Sequence, residues 1–232
     1  SVIDFTRSPY DVIGGIREHI NGITSYIDAS NVYGSDEVRA QALRANDGTG
    51  MLATSDGDLL PFNVGGLPNA GGPSSDLFLA GDVRANEQLG LTAMHVLFVR
   101  EHNTLAKRIK RQNRSLSGDE IYEIARILVG AEMQAITYNE FLPVLVGKRA
   151  LSKYRGYKRR VNAGVSNTFA TAAYRVGHTM LSSTLNRVDS DLNTAPEGNL
   201  TLQGSFFRPD IAIEKLNCVT IQAPLISGLG LS

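Results

Sequence analysis

Residues 88–111 read QLGLTAMHVLFVREHNTLAKRIKR and set the architecture of the chain. Apolar side chains recur in this stretch at intervals of mostly three and four residues, which is the spacing of one face of an α-helix. They are Leu91, Met94, Leu97, Phe98, Leu105 and Ile109. The stretch ends in a basic run, which the negative end of a helix dipole favours. We therefore predict one long helix from Gln88 to about Arg111.

A second helix is predicted directly after the first. Ser117 and Glu120 have the spacing of a capping box, which marks a helix start. An apolar stripe follows at Ile121, Ile124, Ala125, Leu128 and Ala135, and the stretch ends at Pro143 and Gly147. Two long consecutive helices therefore dominate the middle of the chain.

The remaining sequence adds one more helix and little strand. The span from Asn46 to Gly81 is too rich in glycine and proline to form a regular element. A third helix is predicted from about Ser166 to Leu181, capped by Ser166 or by the next residue. Asn199 to Pro209 reads as an extended stretch followed by a loop. With no linker and no alternating pattern long enough for a sheet, residues 1–232 are predicted to form one mostly α-helical domain.

Composition excludes several classes of protein. The 23 basic residues equal the 23 acidic ones, whereas a nucleic-acid-binding domain usually shows a basic excess. One local basic run is interpreted as a solvated helix end: Lys107, Arg108, Lys110, Arg111 and Arg114. No apolar run approaches the ~18 residues of a membrane span, and the single Cys218 excludes an internal disulfide. Because the chain begins at Ser1, we expect a processed product or a piece of a longer protein.

The histidines are the first candidates for chemistry. His95 and His102 lie seven residues apart on the first long helix, and this pattern is more typical of hydrogen-bonded structural histidines than of metal ligands. His178 follows Arg175 by three residues. Such a pair can face a bound anionic cofactor, with the imidazole on a metal and the guanidinium on a carboxylate.

Two acidic residues each allow two interpretations. Asp28, flanked by hydroxyls from Thr24 to Ser30, belongs to a set of hard oxygen donors that suits Ca²⁺, but an ordinary turn explains the same residues. Glu87 follows Arg84 by three residues at a helix start. An ordinary explanation exists for Glu87 too, because any helix favours a carboxylate in its first turn.

Taken together, five ordered motifs are similar to those of the animal haem peroxidases, the peroxidase-cyclooxygenase group that includes myeloperoxidase, peroxidasin and peroxinectin. They are Arg17-Glu-His-Ile-Asn21, Thr24-Ser-Tyr-Ile-Asp-Ala-Ser-Asn-Val-Tyr-Gly-Ser35, Phe78-Leu-Ala-Gly-Asp-Val-Arg84, Met94-His with Arg100-Glu-His-Asn103, and Tyr174-Arg-Val-Gly-His178. The resemblance runs from about Ser8 to Pro209 and implies a mostly α-helical, partial catalytic domain.

The resemblance implies a role for individual residues. His178 corresponds to the proximal ligand of the haem iron, and Arg175 to the residue that pairs with a haem propionate. Arg84 corresponds to the distal arginine, which polarises the peroxide bond. Glu87 matches the carboxylate that forms an ester to haem b.

A calcium site is implied as well, by Thr24, the backbone carbonyl of Tyr26, Asp28 and Ser30. Gln88 departs from the family pattern, because myeloperoxidase has at this position a methionine that forms a sulfonium link to the haem. The resemblance therefore favours bromide, iodide, thiocyanate or phenolic electron donors over chloride.

The distal motif of the family, with its histidine general base, is not found before Ser8. We therefore expect a haem peroxidase that reduces hydrogen peroxide and oxidises halides, pseudohalides or small organic donors, and that requires the missing N-terminal and C-terminal parts of its domain. A haem-free adhesion or matrix relative and a fatty-acid dioxygenase of the cyclooxygenase branch are the alternatives. The sequons Asn113-Arg-Ser115 and Asn199-Leu-Thr201 agree with secretion, which the family also suggests.

Overall fold

The computed structural model describes residues 8–188, 191 and 193–213. These residues form two compact units, the first from the described parts of segments 1–26 and 154–181 and the second from the described parts of segments 27–153 and 182–232. Nothing in this division decides the expectation of one partial domain, which stays a prediction. Cys218, the seven residues before Ser8 and most of the tail after Pro209 lie outside the described residues.

Helices account for most of the regular structure. In chain order the described α-helices are α1 (Ser30–Tyr33), α2 (Glu37–Ala42), α3 (Leu89–Gln112), α4 (Gly118–Ile136), α5 (Leu142–Val146), α6 (Asn167–Thr171) and α7 (Pro209–Ile213). Short 3₁₀ helices cover Asp56–Asp58, Ala173–Met180 and Gln203–Ser205. The strands are β1 (Tyr10–Ile13), β2 (Ile16–His19), β3 (Thr184–Leu185) and β4 (Leu200–Thr201), in two antiparallel pairs. The predicted mostly α-helical fold is confirmed.

The two long helices begin where the sequence predicts. The side chain of Gln88 accepts a hydrogen bond from the Gly90 N–H at 2.6 Å and caps α3. At α4 the capping box is complete, since Ser117 accepts from the Glu120 N–H and Glu120 accepts from the Ser117 N–H. Side chains of the chain itself therefore satisfy the first free N–H groups of both helices.

The buried face of α3 differs from the predicted stripe. Thr92, His95, Val96, Val99 and His102 are buried, whereas the predicted Leu91, Met94, Leu97 and Phe98 are half-exposed. The same holds on α4, where Ile121 and Ala125 are buried but Ile124 and Leu128 are exposed. The prediction was wrong for these positions of α3 because hydrogen bonds allow its polar side chains to be buried: His102 pairs with residues far along the chain, and His95 with the Leu91 carbonyl of its own helix.

The helix that starts as α4 continues beyond Ile136. A single π-helical turn over Thr137–Phe141 joins it to α5, which ends at Val146 before Gly147. The φ of Gly147 is 91°, a left-handed value that glycine adopts without strain. Gly147 therefore ends the helix, as predicted from the sequence.

The third predicted helix is divided. Its cap is Ser166, as expected, but α6 ends at Thr171 and the chain continues as a 3₁₀ helix through Met180. The connection between α2 and α3 contains the 3₁₀ turn Asp56–Asp58 and isolated β-bridges such as Phe62 to Phe78, which agrees with the predicted irregular span. No helix among the described residues is long and apolar enough to cross a membrane.

Candidate active site

Arg84 and Glu87 lie in the second unit, on the turn before α3, and the backbone at Gly81 holds this turn against α1. A Cβ at Gly81 would lie 2.4 Å from the Gly34 nitrogen and 2.5 Å from the Ser30 oxygen. The Asp82 N–H also donates to the Asn31 carbonyl at 2.9 Å. The close approach leaves no space for any side chain at Gly81, so the turn that precedes Arg84 has a defined position.

Two buried polar side chains anchor the same turn. Arg39 is 4% exposed and donates to the carbonyl oxygens of Ala80, at 2.8 Å, and Pro68. Asn86 is 2% exposed and pairs with the backbone of Phe78, accepting from its N–H at 2.9 Å and donating to its carbonyl at 2.8 Å. The backbone on both sides of Arg84 is therefore fixed by hydrogen bonds that water does not reach.

The guanidinium of Arg84 is oriented by Asp82. Its Nε and Nη2 donate to the two carboxylate oxygens at 3.0 and 2.7 Å, which is the bidentate geometry of a strong ion pair. Burial raises the pKa of Asp82, but the hydrogen bonds and charge of Arg84 outweigh burial and hold that pKa below its ordinary value. Asp82 is therefore ionised at neutral pH and pairs with the guanidinium of Arg84, whose side chain is 56% exposed.

His95 contributes a buried acceptor close to this ion pair. Its Nδ1 faces the Leu91 carbonyl at 2.8 Å and must carry the proton, which leaves a lone pair on Nε2. Nε2 is buried and has no hydrogen-bond partner among the described residues. Burial lowers the pKa of His95, while the charges of Asp82 and Arg84 act on it with opposite signs. His95 is therefore a neutral base in the part of the second unit that contains Arg84.

Glu87 and Gln88 follow directly. The Glu87 N–H donates to the Arg84 carbonyl at 2.8 Å, so one tight turn carries both predicted site residues. The Phe207 N–H donates to the Asn86 carbonyl at 3.1 Å and adds a further hydrogen bond to this turn. Gln88 serves as the cap of α3, a role that its position in the motif does not reveal.

The predicted structural role of His102 agrees with its contacts. Its Nε2 faces the Gly50 carbonyl at 2.9 Å and must donate, so Nδ1 accepts from the Tyr33 hydroxyl at 2.8 Å. Burial lowers the pKa of His102 to about 4. Burial likewise raises the pKa of Tyr33. This neutral pair connects α1, which supports Gly81, to α3.

Arg175 and His178 lie in the first unit, on the 3₁₀ helix Ala173–Met180. Side chains three residues apart are eclipsed in a 3₁₀ helix, so the guanidinium and the imidazole leave the helix on the same side. Residues from Ala173 to Thr179 are all exposed. The hydrogen bonds here are local, from the Arg175 N–H to the Ala172 carbonyl at 3.0 Å and from the Thr179 hydroxyl to the Val176 carbonyl at 2.7 Å.

The predicted calcium residues form two local turns. In the first unit the Tyr26 N–H donates to the Thr24 hydroxyl at 3.1 Å, and in the second unit the Ser30 N–H donates to the Asp28 carboxylate at 2.9 Å. These bonds fit the ordinary-turn interpretation and leave the calcium assignment as a prediction. Among the described residues, no three His, Cys, Asp or Glu side chains cluster as a metal site.

The structure thus places the predicted residues in two local groups, Arg84 with Glu87 and Arg175 with His178. Local sequence patterns do not single out Arg39, Gly81 and Asn86, which position the first group. Their contacts reach between eight and 51 residues along the chain, so a local pattern gives no signal for them.

Comparison with known proteins identifies what the chain is similar to. The family model described as animal haem peroxidase matches residues 1–231. The chain is 45% identical over 206 residues to a peroxidasin homolog of Mus musculus, a match that covers 83% of this chain and 14% of the mouse protein. The chain therefore spans only a small part of that relative.

Solved structures of related proteins also match this chain. Peroxidase A from Dictyostelium discoideum superposes with a TM-score of 0.76 at 32% identity, over 85% of this chain and 39% of that one. A fatty acid alpha-dioxygenase of Oryza sativa shares the fold alone, with a TM-score of 0.57 at 23% identity over 84% of this chain and 37% of that one. From the extent of the family match and the identity to its relatives, the chain belongs to the animal haem peroxidase family.

Proposed function

We propose that this chain is part of the catalytic domain of a haem peroxidase, which reduces hydrogen peroxide and oxidises halide, pseudohalide or small organic donors. The observation that carries the proposal is the shared face of Arg175 and His178. An imidazole and a guanidinium, one 3₁₀ turn apart, match the two requirements of haem, which are a ligand for iron and a cation for a propionate.

The donor set of the chain fits haem in its chemistry. His178 supplies the iron ligand and Arg175 the propionate partner. Glu87 is half-buried on the turn before α3 and supplies the carboxylate for an ester link. Bound haem supplies the iron that takes up oxidising equivalents from peroxide.

Arg84 supplies the fixed positive charge. As the peroxide bond breaks, negative charge develops on the leaving oxygen, and a cation that is already oriented stabilises it without reorganisation. The bidentate pair with Asp82 and the anchors at Arg39 and Asn86 support this role, since they hold the arginine before any substrate binds.

Gln88 bears on the choice of electron donor. Its amide cannot form the sulfonium link of myeloperoxidase, and its carbonyl oxygen is engaged in capping α3. We therefore propose bromide, iodide, thiocyanate or phenols as donors in preference to chloride.

Calcium and location complete the proposal. Thr24, the Tyr26 carbonyl, Asp28 and Ser30 are proposed to bind Ca²⁺, with further ligands from outside this segment. The distal histidine is proposed to lie upstream of the five motifs. We propose an extracellular protein, in agreement with the two sequons.

The decisive experiment is an absorption titration of the full chain with haemin. We expect a Soret band that saturates at about one haem per chain, because one imidazole supplies the iron ligand. His178→Ala should abolish the specific band, whereas His19→Ala, which removes another exposed histidine of the same unit, should leave it intact.

An equal band in His178→Ala would refute the ligand assignment. The absence of any saturable band in the unmutated chain would refute the claim that this chain holds the proximal side, and would favour the haem-free alternative. Oxygen uptake with a polyunsaturated fatty acid would instead indicate the dioxygenase branch.

A further inference from the structure

The turn that joins α3 to α4 contains a sequon that the peroxidase chemistry does not use, Asn113-Arg-Ser115. Asn113 is exposed and lies where α3 ends, with an extended backbone at φ −140° and ψ 96°. A sequon on an exposed turn of a secreted protein is the setting in which N-linked glycans occur.

The oxygen and the nitrogen of the Asn113 side-chain amide differ in their hydrogen bonding. Its oxygen accepts hydrogen bonds from the Ser115 N–H at 3.2 Å and the Ser115 hydroxyl at 2.7 Å. Its nitrogen Nδ2 donates no hydrogen bond within the described part of the chain. The atom to which a glycan is attached is therefore available, and the conformation of the turn does not depend on it.

The neighbouring helix ends are also independent of Nδ2. The Asn113 N–H donates to the Ile109 carbonyl at 2.9 Å, and Lys110 Nζ donates to the carbonyls of Arg114, at 3.0 Å, and Leu116, at 2.8 Å. A substituent on Nδ2 would leave all of these bonds in place.

The second sequon, Asn199-Leu-Thr201, lies in a different setting. The Asn199 oxygen accepts from the N–H of the buried Arg187 at 3.1 Å, and Thr201 pairs with Thr184 between β4 and β3. The Thr201 hydroxyl accepts from the Gly204 N–H at 3.1 Å. This sequon is part of a paired strand and its turn, so the geometry favours Asn113.

We propose that Asn113 carries an N-linked glycan. Nδ2 forms a bond to the anomeric carbon of an oligosaccharide and loses one proton, while the bond from that carbon to its lipid diphosphate carrier breaks. The proposal rests on the extracellular location given above and is independent of haem binding and of peroxide turnover.

The test is expression of the full chain behind a signal peptide in mammalian cells, followed by peptide N-glycosidase and peptide mass spectrometry. We expect conversion of Asn113 to aspartate by the glycosidase, and complete loss of this glycan in both Asn113→Gln and Ser115→Ala. Thr201→Ala, which removes the other sequon, should retain it.

Unmodified Asn113 in the chain from this system would overturn the proposal, whether or not Asn199 is modified. Because the signal peptide is supplied, this outcome does not depend on the natural location of the protein. Haemin titration of Asn113→Gln should match that of the unmutated chain. The glycosylation proposal and the peroxidase proposal can therefore fail independently of each other.

Discussion

The segment that carries Arg84 and the segment that carries His178 differ in what holds them. Around Arg84, a glycine in backbone contact and two buried polar side chains fix the chain. Around His178, the side chains are exposed and the hydrogen bonds are local, in a 3₁₀ helix of eight residues, whereas such helices seldom exceed three or four. The difference indicates that buried contacts fix the backbone that carries the arginine, whereas local contacts alone hold the backbone that carries the histidine.

The largest expected effect on stability comes from comparing the same substitution at one glycine of each segment, Gly81 and Gly177. Gly81→Ala places a methyl group against the backbone of α1 and should lower the free energy of unfolding by about 3 kcal/mol, the upper range for overpacking. The methyl group of Gly177→Ala would meet no atom within 4 Å, so this substitution should change the free energy of unfolding by less than about 0.5 kcal/mol. Urea unfolding followed by circular dichroism measures both, since the chain has no tryptophan. Equal losses of stability in the two variants would contradict the difference in backbone support between the two segments.

Acid should weaken the anchored region through His102. Since burial lowers the pKa of His102 to about 4 from 6.5, the unfolded chain binds a proton between these pH values and the folded chain does not. The free energy of unfolding should therefore fall by up to about 3 kcal/mol as the pH drops from 6.5 towards 4.

Unfolding curves at several pH values test this effect. His102→Gln keeps a donor and an acceptor but does not titrate, so it should reduce the slope. His19→Gln, at an exposed position, should not change it. An unchanged slope in His102→Gln would assign the acid sensitivity to other groups.

Asn86 gives the next effect. Its replacement by alanine leaves the buried N–H of Phe78 unpaired, while the Phe78 carbonyl keeps its bond from Asn69 at 2.9 Å, and should cost about 2 kcal/mol. The matched change Asn162→Ala removes an exposed local bond to the Gly164 N–H in the first unit and should cost less than about 0.5 kcal/mol. Thermal unfolding of the two variants, compared side by side, checks the difference.

The smallest effect concerns helix caps. Ser117→Ala breaks the capping box of α4 and should cost about 1 kcal/mol of global stability. Ser166→Ala removes the hydrogen bond to the Phe169 N–H in the five-residue α6. Because α6 has only five residues, we expect faster amide exchange at Phe169 without a change in global unfolding. A global loss equal to that of Ser117→Ala would contradict this expectation.

The sequence predicts what local patterns determine. The capping box at Ser117 and the basic end of α3 place the two long helices correctly, because caps and dipoles act within one turn. Residue types and spacing likewise single out Arg175 and His178 as a pair, although the sequence does not reveal that the second half of the predicted helix is 3₁₀.

Long-range pairing could not be predicted from one sequence. Asn103 is polar, yet it is buried because it pairs with both backbone groups of Leu52, 51 residues away. His102 and Arg39 are buried for the same reason, through contacts 29 to 69 residues distant. A hydropathy stripe assigns such residues to the solvent and therefore misplaced the core face of α3.

The π turn at Thr137–Phe141 has a consequence for how the sequence can change. An α-helix advances about 100° per residue, so the extra residue of a π turn rotates everything after it by about that angle. Deleting one residue there would restore ordinary helical phase and swing Val144 and Leu145 of α5 around the axis. Point substitutions can tune this end of the helix, but a single-codon deletion would redirect it as a whole.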